Sequence, residues 1–542
     1  MYSNRNRELL VIVSIVAIAV FFRFYQLDSI PPGLWPDEAA NGVDALKALD
    51  ERDFKIFYPA NNGREGLFIN IQAISVGLFG PEPWSLRVVS AVFGTLTVLG
   101  LYLLVRHMYD WRTAAIASFF LSVSFWHVNF SRIGFRAIML PFILVWAFYF
   151  LWRGLRSGQL KEFFIAGVIG GMGFYTYFSF RIVPLIALIL FWNYWTHLKT
   201  HYSHSKYEQT RNRMLRGFAV LMLTVIIIAL PLLFYFYTHP EDFLKREGRP
   251  ISVFDQARPG KELGLSIVKT LAMFNFTGDY NQRHNIPGWP QLSLPIGILF
   301  AIGFLREFGH WLKRKPGHFS TVHTFLFSWF FIMLLPGFLS TEAPHALRTI
   351  GVIPVVMIFA AHGFRWLINL VRRYHHLTDL HAQTDKLIYK KESGLLLVMT
   401  VTIFFVSLGF LEYSRYFRKW GSDPGLNDAF TQRYVDIADY LKNQSSNVPR
   451  YVLVNEGDVY VDGVSNNAQT IKFLTRTHSQ QCSVDNNIYY LKDNALQTIR
   501  FPGQFILIPL KDSPGLGDEL FWKFNLYPEK HGSFVIYKPT NY

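Results

Sequence analysis

The sequence has almost no cysteine and little charge. Cys482 is the single cysteine among 542 residues, so no intrachain disulfide stabilises the fold. Only 17% of the residues are charged, whereas 51% are hydrophobic, and Phe alone occurs 51 times. This composition excludes a disulfide-rich secreted scaffold and an ordinary soluble globular protein. It is typical of a protein with several membrane-spanning helices.

Eleven apolar runs are long enough to predict transmembrane helices. The first run is too long for the apolar part of a signal peptide, and no cleavage site of small residues follows it, so we interpret it as a retained helix. The predicted spans lie at about 8–25, 84–105, 113–130, 137–153, 162–179, 182–198, 216–238, 291–309, 321–339, 347–370 and 394–412.

The net charge of +15 is concentrated in alternate loops between these spans. Such an excess of Lys and Arg marks cytoplasmic loops, so the N-terminus is predicted inside and the C-terminus outside. This distribution favours a topology signal over a nucleic-acid-binding surface, and no nucleic-acid partner is expected. The basic segments are 5–7, 106–112, 153–161, 199–216, 306–315 and 372–391.

Two outer loops, 26–83 and 239–290, are long enough to carry function. In the first of them, apolar positions within 38–50 share one helical face, which predicts an amphipathic helix on the membrane surface. Residues 67–79 predict a second helix, too short to span a membrane and ended by Gly80-Pro81.

The tail, residues 413–542, has frequent and nearly balanced charges and lacks long apolar runs. A helix is predicted at 435–441, and short strands at 451–454, 488–491, 505–508 and 533–537. The sequence therefore predicts a polytopic α-helical membrane domain, 1–412, followed by a small extracytoplasmic α/β domain.

Two adjacent carboxylates, Asp37 and Glu38, follow the first span within Trp35-Pro36-Asp37-Glu38. Carboxylates at the mouth of a helix bundle are costly near lipid and indicate function. A positioned carboxylate can take a proton from an acceptor hydroxyl. The alternative for Asp37 is an N-cap of the helix beginning near Glu38, and the alternative for Glu38 is a favourable charge at that helix N-terminus.

Four outer segments, taken in order, resemble the type C glycosyltransferases, in particular the bacterial branch of the protein O-mannosyltransferase family, which includes the lipid A aminoarabinose transferase. The resemblance covers about residues 8–412, and the tail has none that we can name. The segments are Gly80-Pro-Glu-Pro-Trp-Ser-Leu-Arg87 leading into 91–97, Gly173-Phe-Tyr-Thr-Tyr-Phe-Ser-Phe-Arg181, Gly278-Asp-Tyr-Asn-Gln-Arg-His-Asn-Ile-Pro-Gly288 and Pro344-His-Ala-Leu-Arg-Thr-Ile-Gly351.

This resemblance implies inverting transfer of a sugar from a polyprenyl-phosphate donor to a hydroxyl on a protein, lipid or glycan, at the outer face of the cell membrane. The catalytic Asp of the family falls on Asp37. A phosphate departs as an anion, so one carboxylate suffices, unlike the two of typical glycoside hydrolases.

The leaving phosphate needs cations or N–H donors, and three outer residues are candidates: Arg64, Arg348 and His345. Relatives often carry Lys near the position of Arg64, and an Arg there can bind phosphate bidentately. The alternatives are a salt bridge of Arg64 with Glu65 and snorkelling of Arg348 to the interface.

Further possible substrate-binding residues lie in the same resembling segments, although aromatic side chains at an outer turn are commonly interfacial belt residues. They are Tyr175, Tyr177, Arg181, Asp279, Arg283 and His284.

No cofactor is expected. Many relatives have an acid in the second outer loop, but residues 131–139 have none, and no His/Cys cluster has zinc spacing, so a divalent metal is possible but unsupported. The segment 455–463 lacks calcium-loop spacing and predicts a strand and turn.

The alternative function is a transporter or flippase, and a third class is a receptor or scaffold that displays the tail. Paired interrupted spans in matching halves of a chain are typical of a transporter built from repeats, and the sequence shows none. An outward cavity between Asp37, Arg64 and Arg348, with an apolar groove toward lipid, would favour the transferase, whereas a pore across the whole bilayer would favour transport.

Overall fold

The computed structural model describes residues 2–201, 204–244, 252–313, 318–381, 386–457, 459–461, 463–492, 495–496 and 503–539. Helices make up most of the chain before the tail. They are α1 Tyr2–Phe24, α2 Pro36–Glu51, α3 Gly66–Phe79, α4 Pro83–Met108, α5 Trp111–Val123, α6 Phe125–Phe130, α7 Met139–Ser157, α8 Leu160–Gly173, α9 Val183–His201, α10 His204–Thr238, α11 Pro240–Leu244, α12 Pro259–Ala272, α13 Leu294–Leu312, α14 His318–Phe338, α15 Ile353–His381 and α16 Lys386–Tyr413.

Each predicted span falls on one of these helices, except that 113–130 falls on α5 and α6. The predicted fold class of a polytopic helical membrane protein is confirmed. Among the described residues, seven helices are long and apolar enough to cross a membrane. They are Pro83–Met108, Arg136–Ser157, Phe178–Thr196, Tyr207–Thr238, Thr321–Phe338, Ile350–Arg373 and Leu395–Trp420. The other predicted spans, on α1, α5 with α6, α8 and α13, do not meet that criterion, so the total of eleven stays a prediction.

The predicted span 162–179 is too long. Helix α8 ends at Gly173, and a turn leads into a 3-10 helix at Phe178–Ile182. Glycines at 170, 171 and 173 weaken the helix at this point, because glycine loses the most backbone freedom in a helix. The consequence is that the turn after α8 and this 3-10 helix reach the cavity described below.

The two predicted juxtamembrane helices are present as α2 and α3, and a two-residue hairpin joins them, β1 Phe57–Tyr58 with β2 Arg64–Glu65. The apolar face of α2 does not lie on the membrane surface as expected. Ala39, Val43 and Leu46 instead pack in one buried cluster with the tail. An amphipathic pattern specifies only that one face of the helix is buried, so it fits burial against the tail as well as burial against a membrane surface.

Buried arginines hold the segment that precedes α2. Arg87, fully buried, donates to the carbonyls of Pro31 and Gly33 at 2.6 and 2.7 Å. Arg132, also fully buried, donates to the carbonyls of Gln26 and Ile30 at 2.9 and 2.8 Å. Hydrogen bonds from a charged donor are stronger than neutral ones, so this segment is firmly placed against α4 and the loop after α6.

The tail contains the predicted α/β domain. A five-stranded sheet has the order β6-β3-β7-β9-β8, with β3 parallel to β6 and β7 and with β9 antiparallel to β7 and β8. A small antiparallel hairpin pairs β4 with β5. It begins within the segment 455–463, for which a strand and a turn are predicted. The elements are α17 Gly425–Ala429, α18 Gln432–Lys442, β3 Arg450–Val454, β4 Tyr460–Val461, β5 Val464–Ser465, α19 Gln469–Leu474, α20 Gln480–Asp485, β6 Ile488–Lys492, β7 Ile506–Pro509, α21 Leu516–Phe524, β8 Leu526–His531 and β9 Phe534–Pro539.

The tail packs directly on α2. Side-chain atoms of Phe473 in α19 lie where a Cβ at Gly42 would be, as close as 2.6 Å to that position. Any larger residue at Gly42 would therefore push α19 away from α2. The catalytic candidate Asp37 lies on the same helix, so the tail and the candidate site share one structural element.

Candidate active site

One cavity brings together most of the predicted donor-binding residues. It has a volume of about 640 Å³ and lies between α2, the β1–β2 hairpin, the loop after α6, the start of α9 and the end of α14. Its polar lining includes Asp37, Asn41, Asn61, Asn62, Arg64, Arg136, Ser179, Arg181, Ser252, His345 and Arg348. An apolar wall is formed by Phe178, Ile182, Leu335, Pro336, Leu339 and Leu347.

Asp37 lies in the first turn of α2 and faces this cavity. Its Oδ1 atom accepts hydrogen bonds from Asn61 Nδ2 at 2.9 Å and from Asn466 Nδ2 at 3.0 Å. Among the described residues Oδ2 accepts none. The N-cap of α2 is Trp35, so the capping alternative for Asp37 is wrong. The two hydrogen bonds to Oδ1 fix the side chain, and Oδ2 remains able to accept a proton or a hydrogen bond from a ligand.

Glu38 lies behind the cavity rather than in it. Its side chain is fully buried, and Oε1 accepts from Arg87 Nε at 3.2 Å and from the Gly134 amide at 2.7 Å. Oε2 accepts from the Trp35 amide at 3.4 Å, which satisfies a donor at the N-terminus of α2. With these partners Glu38 fixes the start of α2 and contacts no ligand in the cavity.

Arg64 reaches the cavity, but its guanidinium is already engaged. It pairs with Asp44 of α2, Nη1 donates to Asn41 Oδ1 at 2.8 Å, and its side chain is only 3% exposed. The predicted alternative partner, Glu65, is wrong, because Glu65 pairs instead with Arg136 Nε at 3.1 Å. Arg64 therefore holds the hairpin to α2 and adds positive charge at the back of the cavity.

Arg348 and His345 lie in the loop before α15 and line the cavity. The Arg348 guanidinium pairs with Glu342, a carboxylate that is 50% exposed. Burial first, and then the neighbouring His284, lowers the pKa of His345 to about 3, so the ring is neutral near neutral pH. His345 can thus donate or accept a hydrogen bond to a ligand but brings no charge, whereas Arg348 brings one at an accessible rim.

Tyr177 and Arg181 also line the cavity, and Tyr175 does not. The Arg181 guanidinium lies 4.9 Å from the ring centre of Phe243 and 5.6 Å from that of Phe178. Tyr175 turns away and donates to the Ile228 carbonyl at 2.7 Å, which ties the end of α8 to α10. Of these three, Tyr177 and Arg181 are placed to contact a ligand.

Three further predicted residues lie beside the cavity, next to residues that line it: Asp279, Arg283 and His284. Asp279 Oδ2 accepts from His284 Nδ1 at 2.9 Å and from the Ala346 amide at 2.8 Å, which ties the loop 278–288 to the loop of His345. Burial acts to raise the pKa of Asp279, but the hydrogen bond to His284 and the electrostatic interaction with it outweigh burial and lower the pKa. The Arg283 guanidinium lies 3.5 Å from the ring centre of Trp35.

The donor atoms of Asp279, His284 and His345 all lie within 4.8 Å of one another, so they could hold a divalent cation. No sequence pattern indicates this cluster, because His345 is remote from the other two residues in the chain. The hydrogen bonds of Asp279 to His284 and Ala346 already satisfy its Oδ2 atom, and they account for the cluster without an ion.

Sequence reasoning missed several residues of the site, among them Asn61, which holds Asp37, and the two that follow. Arg136, with its side chain 19% exposed, lines the cavity beside the Arg64 hairpin. It is an arginine in a loop predicted outside, against the general charge pattern, and that exception is the signal that could have identified it. Asn466 belongs to the tail and contacts Asp37, although 429 positions separate them, and no sequence signal points to it.

The fold and the cavity define a class: a polytopic helical membrane protein with a charged cavity at one end of the bundle and a small α/β domain packed over it. The family model described as dolichyl-phosphate-mannose-protein mannosyltransferase matches residues 67–207. That segment contains α3 to α9 and part of the cavity lining. The match confirms the resemblance drawn from the sequence.

A curated relative, a putative mannosyltransferase YkcB of Bacillus subtilis strain 168, is 26% identical over 199 residues. The alignment covers 35% of this chain and 27% of the Bacillus protein. The chain therefore matches about a quarter of that relative's length.

Two kinds of solved structure share the fold. ArnT of Cupriavidus metallidurans, solved with undecaprenyl phosphate, superposes with a TM-score of 0.60 at 13% identity, and 97% of each chain is covered. The oligosaccharyltransferase of Archaeoglobus fulgidus superposes with a TM-score of 0.51 at 15% identity, covering 89% of this chain and 64% of that chain. The likeness to ArnT includes the tail, because the superposition covers nearly the whole chain.

Proposed function

We propose that this protein is a membrane glycosyltransferase that moves a sugar from a polyprenyl-phosphate donor to a hydroxyl group. The observation that carries the proposal is the cavity that Asp37 and four arginines line beside an apolar wall. A lipid-linked phosphosugar has a polar head, an anionic phosphate and a hydrocarbon chain, and the cavity offers a surface for each. The match to the mannosyltransferase family model supports the same function.

Asp37 acts as the general base. The acceptor hydroxyl attacks the anomeric carbon, its proton passes to Asp37 Oδ2, and the bond from the anomeric carbon to the phosphate oxygen breaks. Attack on the face opposite to the phosphate inverts the anomeric configuration. The hydrogen bonds from Asn61 and Asn466 to Oδ1 keep the other oxygen directed to the acceptor.

The phosphate binds at the arginines of the rim. Arg348 is the principal ligand, because its partner Glu342 is half exposed and an exposed ion pair is worth little. Exchanging Glu342 for a phosphate therefore costs little. Arg64 is held by the buried Asp44, so it contributes charge without leaving its partner. Arg136 and Arg181 add further positive charge to the same cavity.

No cofactor takes part in this transfer. The phosphate leaves as an anion, and the arginines stabilise the charge that develops on it, so neither a protonated acid nor a metal is required at the reacting atoms. A hydroxyl-bearing protein, lipid or glycan is the acceptor.

The reaction takes place at the outer face of the cell membrane, with the N-terminus inside and the tail outside. The alternation of basic loops supports this orientation. Among the described residues, none that lines the cavity belongs to a basic segment predicted inside. A cavity confined to one end of the bundle does not favour the transporter alternative.

The test is transfer by the purified full-length protein in nanodiscs, supplied with radiolabelled polyprenyl-phosphate sugars and a membrane extract. We expect label to move from the donor into a lipid, protein or glycan fraction. Recovery of intact donor with every sugar offered, from protein that binds the donor, would contradict the proposal. Movement of donor across a sealed bilayer without transfer would instead favour a flippase.

A further inference from the structure

A second cluster of metal-ligating side chains lies away from the cavity, where the tail meets the C-terminal end of α2. Asp50 belongs to α2, His478 follows α19, and Cys482 lies in α20. One donor atom from each, a carboxylate oxygen, an imidazole nitrogen and a sulfur, lies within 4.8 Å of the other two. We propose that these residues bind a divalent transition-metal ion of the zinc class.

The distances fit such an ion after a small movement. In a tetrahedral zinc site the ligand atoms lie about 3.3–3.6 Å apart, given metal–ligand bonds of about 2.0–2.3 Å. Cys482 Sγ lies 3.7 Å from His478 Nε2, close to that spacing. Asp50 Oδ2 lies 2.6 Å from the same nitrogen, which is a hydrogen bond. The Asp50 side chain is 60% exposed, so it can rotate away by the fraction of an ångström that the ion requires.

The donor set selects the class of metal. A sulfur, a nitrogen and an oxygen donor suit zinc, whereas calcium and magnesium prefer oxygen alone. His478 is buried and Cys482 is partly exposed, so the three protein ligands leave one position open to solvent. Water fills that position.

Binding exchanges protons for the ion. The Cys482 thiol loses its proton to solvent, because the thiolate is the ligand. The proton shared between His478 Nε2 and the Asp50 carboxylate is also released, because the metal takes the nitrogen lone pair. Metal affinity therefore rises with pH.

The ion would join the membrane domain to the tail. Asp50 is the second-last residue of α2, the helix whose first turn contains Asp37. His478 and Cys482 belong to the segment after α19, which packs on that helix. The metal thus restrains α2 from the end opposite to the candidate base. It contacts neither the donor nor the acceptor, and the inference does not depend on the proposed transfer.

The test uses Co²⁺ and Zn²⁺ alone with chelator-stripped full-length protein in nanodiscs. We expect one equivalent of Co²⁺ to give a thiolate-to-cobalt charge-transfer band, and Zn²⁺ to abolish it and to protect Cys482 from a thiol reagent. Cys482→Ser should lose the band. Asp50→Asn, at an exposed position that tolerates substitution, should weaken Zn²⁺ binding by more than about tenfold.

The matched control is Asp485→Asn, a carboxylate on α20 that bonds to Gln481 outside the cluster and should leave Zn²⁺ binding unchanged. Thermal unfolding of each variant without metal separates loss of ligand from loss of fold. A folded wild-type protein that gives no charge-transfer band would overturn the proposal. So would Zn²⁺ protection of Cys482 that persists undiminished in Asp50→Asn, because Asp50 would then not be a ligand of the ion.

Discussion

Replacing Asp37 by Asn tests the base directly. The amide is nearly the same size as the carboxylate, and its oxygen can still accept from Asn61 and Asn466. These two hydrogen bonds lose their charged acceptor, which costs about 0.5–1.5 kcal/mol each, since bonds to charged groups are worth about 1.5–3 kcal/mol and neutral ones about 0.5–1.5. We therefore expect a folded protein that is less stable by about 1–3 kcal/mol.

The rate of sugar transfer should be affected much more strongly than the stability of the fold. Asn cannot accept a proton, and a general base contributes a factor of about 10²–10⁴. Donor binding should stay close to that of the wild type, because the proposed role of Asp37 is to contact the acceptor and not the phosphate. Asp37→Asn therefore tests the chemical step separately from donor binding, whereas a variant at one of the arginines would not separate the two.

The assay is single-turnover transfer from a radiolabelled donor at saturating enzyme, together with donor affinity measured on the same nanodisc preparation. The matched control is Asp28→Asn, an exposed carboxylate in the same outer loop that does not line the cavity. We expect wild-type turnover from the control. A turnover of Asp37→Asn within about threefold of the control, at equal amounts of folded protein, would refute the role of Asp37 as base.

Other outcomes follow from the same contacts. Arg348→Ala should weaken donor affinity by about tenfold to a hundredfold, as expected for loss of a charged hydrogen bond, while Arg348→Lys restores it in part; unchanged affinity in titrations with donor would place the phosphate elsewhere. Arg64→Ala should lower stability by about 3–5 kcal/mol, because it leaves Asp44 buried without its partner, and thermal unfolding that matches the wild type would show that this pair is dispensable. Cys482 should react with an impermeant thiol reagent added to intact cells in the presence of a chelator. Labelling only after lysis would show that the tail lies inside the cell.

Much of the helical part could be predicted because long apolar runs leave few alternatives. The tail was harder, and strand β8 shows why. Its sequence, Leu526 to His531, is short, charged and contains Pro528, so it lacks the alternation of a half-buried strand. It pairs only with β9 at the edge of the sheet, where exposed side chains are tolerated. Edge strands of this kind depend on their neighbour and carry little signal of their own.

Some residues of the candidate site could likewise be predicted from the sequence, and others could not. Asp37, Arg348 and Arg181 could be chosen from the sequence, because the motifs around them resemble those of a known family and they end in one cavity. Asn466 could not, because its part in the site depends on how the tail docks on α2. The sequence predicts a catalytic role for Glu38 and phosphate binding for Arg64, whereas in the structure they pair with Arg87 and Asp44. A sequence does not tell whether a charge faces a cavity or another buried charge.

The dependence of Asp37 on Asn466 has a consequence for biosynthesis. Asp37, the proposed base, is held by Asn61 and by Asn466, and the ribosome adds Asn466 429 residues after Asp37, when every predicted span has left it. The cavity can therefore form and bind a lipid-linked sugar while Asn61 alone holds the carboxylate, so an incomplete chain should bind its donor but transfer the sugar more slowly. A chain truncated after α16 and held in a nanodisc should bind donor and show slower transfer, and transfer at the full rate would show that the tail is not needed to position Asp37.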